Sequence, residues 1–198
     1  ALTLVQPGDC GTFESEFTPL EGNFVKAKAL DDRVGCALLM QLLSQPAEYD
    51  YYATFTVQEE LGCRGAKTAA FTVQPNIALV LEATTANDIA DTPPEKAVCF
   101  AGGGAVVSFM DRATLYDREL FELALATAAE QKIAVQTKNA VAGGNNAGAI
   151  SLSGAGVRTL ALSLPCRYIH SPSGVASFED CKDLQALAAA LLPKLCSL

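Results

Sequence analysis

The chain has 198 residues, half of them hydrophobic and 18% charged, with a formal net charge of -8. Its length favours one domain with a substantial buried core, and its composition is that of a globular chain with no sign of disorder. The acidic balance makes nucleic acid and anionic membrane poor partners, and no uncharged apolar run reaches the roughly 18 residues that span a bilayer.

Residues 1–28 read as short strands and turns, with apolar pieces at 2–5, 12–17 and 24–27 separated by turn residues such as Pro7-Gly8-Asp9. This is the pattern of the last part of a small β-rich domain. After Leu30 the rhythm changes to strands alternating with helices. Residues 34–43 form a helix rich in Ala and Leu, entered through Asp31 and Asp32. Residues 51–58 are rich in β-branched and aromatic side chains and read as a strand, followed by a short helix over 64–71. The continuous apolar run 77–81 suits a strand buried on both faces. Further on come a strand over 105–109, a helix over 117–131 with an acidic start, and a strand over 133–137. A helix over 147–153, a strand over 159–164 and a closing helix over 179–192 complete the chain. The alternation predicts an α/β fold, a three-layer sandwich with a largely parallel mixed sheet over 29–198.

No basic stretch followed by an apolar run marks a secretory leader, and the chain begins at Ala1, which leaves a processed amino terminus open. Its seven cysteines are odd in number, lack any C-x-x-C pair and have mostly apolar neighbours. Reduced thiols in a cytoplasmic protein are the simplest account, and a zinc knuckle is not expected.

In open α/β sheets ligands gather outside the carboxyl ends of the strands. Glu59 and Glu60 follow one predicted strand, Glu82 the next, and His170, the only histidine, the last; Asp31 heads a helix. Carboxylate and imidazole suit zinc, cobalt or manganese, and a pair of such metals can share a carboxylate and a water. Of two adjacent glutamates, one can ligate a metal while the other takes a proton from the water. Each residue also has a plainer reading. Asp31-Asp32 can cap the following helix, Glu59-Glu60 can complement a helix dipole, and a lone histidine is more often simply hydrogen-bonded. Gly102-Gly103-Gly104 precedes a strand and lacks a following Lys-Ser/Thr, so it is not a phosphate loop. Gly143-Gly144-Asn145-Asn146 suits either a substrate-facing set of backbone donors or an ordinary turn.

Five motifs occur in order: Lys28-Ala29-Leu30-Asp31-Asp32-Arg33, Val57-Gln58-Glu59-Glu60-Leu61-Gly62, Leu81-Glu82-Ala83-Thr84-Thr85-Ala86, Ala142-Gly143-Gly144-Asn145-Asn146-Ala147-Gly148 and Arg167-Tyr168-Ile169-His170-Ser171-Pro172. Together they resemble the glutamyl and deblocking aminopeptidases, the large tetrahedral metallo-aminopeptidases with two metals. The resemblance implies a zinc-exopeptidase-like sandwich (phosphorylase/hydrolase-like) hydrolysing peptides, preceded over 1–28 by the end of an inserted β-rich dimerisation domain. It implies that Asp31 bridges both metals across a cis bond to Asp32, that Glu60 and His170 hold one metal and Glu82 the other, and that Glu59 is the general base. Asn145 and Asn146 would lie near the substrate, and relatives would form homo-oligomers from dimer to dodecamer.

Two departures qualify the resemblance. The family carries a further upstream histidine ligand that this chain lacks, so it looks like the carboxyl-terminal portion of a longer enzyme, holding two divalent ions, one or none. Asn146 stands where relatives usually carry Asp. The alternatives are an inactive remnant acting as a binding module and a related zinc hydrolase of non-peptide amides or acyl groups.

Overall fold

The computed structural model describes residues 4–198. The strand expected over 2–5 lies partly outside the described residues. The first element, β1 (Thr18–Leu20), forms a hairpin with β2 (Phe24–Ala27), closed by Gly22 and Asn23 with φ of 70° and 61°. This turn sets the register and moves the strand expected over 12–17 to Thr18–Leu20.

The sheet is built around β6 (Arg158–Arg167). On one flank β3 (Ile77–Thr85) runs parallel to it, from Ile77 opposite Arg158 to Thr85 opposite Cys166. On the other flank β4 (Ala105–Val107) pairs antiparallel near the middle, and β5 (Val135–Thr137) lies parallel beyond it. The end of β6 pairs antiparallel with β7 (Gly174–Ser177), which carries β2 and then β1. The sheet is therefore mixed, with parallel pairing at β3–β6 and β4–β5. Residues 18–27 extend the same sheet.

Alternation along β6 assigns its faces. Leu160, Leu162 and Leu164 point to one helix layer: α1 (Leu30–Leu43), α3 (Arg118–Gln131) and α5 (Phe178–Cys196). Ala161 points to the other, where α4 (Asn146–Ser151) packs beside α2 (Arg64–Val73). On α5 the fully buried Leu184, Leu187, Ala188 and Leu191 repeat at helical spacing. Each such leucine contributes about 1.5–3 kcal/mol of burial. The side chains of Asp117 and Ser177 accept from Leu120 N and Asp180 N, capping α3 and α5.

Two expectations are corrected here. Residues 51–58 form no strand, because no ladder partner lies beside them among the described residues. Instead residues 51–56 and β3 wall a cavity of about 800 Å³, with α1 and the end of α5 on one side and α2 on the other. Glu82 does not follow its strand; it lies within β3, which runs on to Thr85. No helix of the described residues is long and apolar enough to cross a membrane.

Candidate metal centre

The chain arrives at α1 through Ala29 in a left-handed conformation, and Asp31 and Asp32 are non-helical and joined by a cis peptide bond. The two aspartates then divide. Asp32 Oδ1 accepts from Gly35 N at 2.9 Å and caps the helix proper, while Asp31 projects toward His170. A Cβ on Gly35 would collide with the Asp32 carboxylate and the Leu81 carbonyl, so glycine is what lets α1 approach β3 this closely.

Glu59 and Glu60 sit in a loop that folds on itself. Gly62 N and Cys63 N both donate to Glu59 O at 2.9 Å, and Gly65 N donates to Val57 O at 3.0 Å. Glu82 is 3% exposed and shares its face of β3 with Val80 and Thr84. His170 lies in the turn after β6, with φ of 59°, a conformation uncommon for a residue with a Cβ.

These elements bring the five expected residues to one edge of the sheet. His170 Nε2 lies 3.2 Å from Asp31 Oδ2 and 3.3 Å from Glu60 Oε1. Ligand atoms of Asp31, Glu60 and His170 all fall within 4.8 Å of one another, and so do those of Asp31, Asp32 and Glu82. Asp31 is common to both sets. A metal with four N/O ligands at about 2.0–2.1 Å holds neighbouring donors about 3.3 Å apart in tetrahedral geometry. The spacing around His170 fits that edge.

The electrostatics give a second fit. Burial, with the charge of Asp32 next, pushes Glu82 up to about 9. Burial likewise raises Asp32 to about 8, with Asp31 and Glu59 adding to the shift and the Gly35 hydrogen bond opposing it. Asp31 and Glu59 are raised by burial first and by neighbouring carboxylates second. Crowded acids that resist ionisation are what a divalent cation relieves. The chemistry of the donors thus fits a metal, with Glu60 and His170 open to solvent and Glu82 enclosed.

Asn146 lines the cavity, and its Nδ2 donates to Glu82 Oε1 at 3.4 Å and to Thr56 Oγ1 at 3.3 Å. Asn145 is committed elsewhere. Its Oδ1 caps α4 through Ala147 N, and its Nδ2 donates to the Tyr116 hydroxyl at 3.0 Å. Tyr116 in turn donates to the buried Asp111. Asp32 joins the cluster beside Asp31, its partner in the sequence pair, whereas the roles of Gly35, Cys63 and the Asp111–Tyr116 pair carry no signal in the sequence.

Fold and cluster together define a class: a three-layer α/β sandwich with a candidate carboxylate–imidazole metal centre at one sheet edge. The sequence profile of the M42 glutamyl aminopeptidases matches residues 1–187, and the chain belongs to that family. It is 31% identical over 194 residues to the lysyl aminopeptidase of Pyrococcus furiosus, covering 95% of this chain and 54% of that protein. An aminopeptidase from the archaeon Desulfurococcus kamchatkensis superposes with a TM-score of 0.86 at 31% identity, over 90% of this chain and 51% of that one. The TET1 peptidase of Pyrococcus horikoshii, which can assemble into a tetrahedron or a large octahedral shell, gives 0.79 at 30% identity, over 96% and 56%. The chain therefore spans about half the length of the relatives it matches.

Proposed function

We propose that this chain forms the catalytic part of a divalent-metal aminopeptidase that removes amino-terminal residues from peptides, with zinc, cobalt or manganese as the metal. The observation that carries the reading is the meeting of Asp31, Glu60 and His170, with His170 Nε2 at 3.2 and 3.3 Å from the two acids. In this reading Glu60 and His170 would hold one metal together with Asp31, and Glu82 would help hold a second with the same Asp31. Bound metal would supply water of lowered pKa and polarise the scissile carbonyl. Glu59 accepts the proton of the attacking water and returns it to the leaving amine. Asn146 shapes the wall that the substrate meets, and Asn145 holds it there by capping α4. By similarity to the shell-forming relative, the working form is a homo-oligomer. The seven unpaired cysteines suit a reducing compartment, the cytoplasm.

One observation favours a second reading. The set Asp31, Asp32 and Glu82 contains no nitrogen donor, and His170 is the chain's only histidine. A chain that binds a single metal without turnover of its own fits that shortfall. Metal analysis alongside turnover of a chromogenic aminoacyl anilide separates the two. For the aminopeptidase, Glu59→Gln keeps its metal and loses about 10²–10⁴-fold in kcat. A wild-type chain that holds metal but shows no turnover supports the binding module instead.

A further inference from the structure

Glu59 makes one side-chain hydrogen bond among the described residues, to Cys63, whose Sγ lies 3.7 Å from Glu59 Oε1. Cys63 is the N-cap residue of α2, with φ of 54°, and its side chain makes no cap hydrogen bond to the helix. A side chain at that position usually turns inward to the first-turn amides; this one turns to the carboxylate instead. The backbone fixes the pairing, because Cys63 N is itself bonded to Glu59 O at 2.9 Å, so the two side chains leave opposite ends of one short turn. Burial and the neighbouring Glu59 charge push the thiol up to about 11. At neutral pH it therefore remains an S–H that donates.

We propose that Cys63 is a positioning residue for Glu59: its thiol donates to Oε1, fixes the plane of the carboxylate and leaves Oε2 free for the attacking water. This rests on the reading of Glu59 as general base. Serine is a poor substitute. Its C–O bond is shorter than C–S, and an O–H···O bond needs about 2.7–2.8 Å, so a serine hydroxyl falls short of the carboxylate unless the turn moves.

The test has two arms on the full chain. In the metal-loaded protein, Cys63→Ala lowers kcat by about fivefold, the loss of one weak thiol hydrogen bond. Metal content and KM stay unchanged, so the loss falls on kcat alone. Unchanged kcat, or a loss matched by a rise in KM or a fall in metal content, overturns the proposal. The second arm needs no turnover. In metal-free protein, iodoacetamide labelling of Cys63, read by peptide mass mapping, becomes several-fold faster in Glu59→Gln, which removes the neighbouring charge. An unaltered labelling rate shows that the thiol and the carboxylate do not meet, and overturns the proposal. A wild-type chain without turnover defeats the proposed function alone, and the labelling arm still decides the Cys63–Glu59 contact.

Discussion

His170 Nε2 stands 3.2 Å from Asp31 Oδ2, joining the turn after β6 to the head of α1 at the open side of the acid cluster. That distance suits either two donors on one metal or an Nε2–H shared between two carboxylates. The variant His170→Gln distinguishes them. If the imidazole is a ligand, affinity for Zn²⁺ measured by calorimetry falls at least about 10–100-fold, the loss that even an outer partner of a metal ligand costs. If it only bridges Asp31 and Glu60, zinc affinity stays as it was.

The crowded carboxylates predict a pH dependence whose sign can be worked out. Glu82 is raised to about 9 and Asp32 to about 8, chiefly by burial. Between about pH 4, where exposed carboxyls titrate, and those values, the folded chain holds protons that the unfolded chain has released. Stability is then full below the unfolded pKa and declines as pH rises through the folded one. The Tm of the metal-free chain should drop between about pH 5 and pH 8.5. Added Zn²⁺ should restore it more at the upper pH, where the carboxylates it favours are already ionised. A metal-free Tm that rises across this range would contradict the shifts.

Where the fold was legible, the reason is local. The apolar runs of β3 and β6 and the acidic start of α3 carry their assignment in consecutive residues. Residues 51–58 have strand composition but no ladder, because a strand is a relation between two segments and composition describes one. Glu82 looked like a strand end because it is charged, yet pairing with β6 continues past it to Cys166. At Pro193 the opposite happened: α5 was expected to stop at 192 but continues to Cys196, where the buried Leu195 docks on the core. The proposed site residues Asp31, Glu59, Glu60 and His170 carry their chemistry near element boundaries in the sequence, and Glu82 carries it inside β3. Gly35, Cys63, Asp111 and Tyr116 carry no such signal, because their roles depend on packing that no motif encodes.

The Asp111–Tyr116–Asn145 chain is one such role with a measurable cost. Asp111 Oδ1 accepts from Ala113 N and Thr114 N at 2.8 Å, and its other oxygen accepts from Tyr116. Tyr116→Phe leaves a buried carboxylate oxygen and the Asn145 amide short of a partner. The expected loss is about 1–3 kcal/mol, read as a lower urea midpoint with an unchanged m-value. A midpoint unchanged by the substitution would show that the three side chains do not hold α4 in place.

The outer edge of β3 makes the last prediction. Among the described residues its one ladder partner is β6, and its other side faces the cavity walled by residues 51–56. In a parallel ladder successive N–H groups point to opposite neighbours. Half of the β3 amides are therefore bonded to β6 and half are left without a strand. Hydrogen exchange followed by NMR should show protection alternating residue by residue along β3, while β6, flanked on both sides at its carboxyl end, is protected more evenly there. A free parallel edge also favours association with other chains, so protection of the fast set should grow with protein concentration. Uniform protection of β3 in dilute solution would mean that another segment already pairs with this edge.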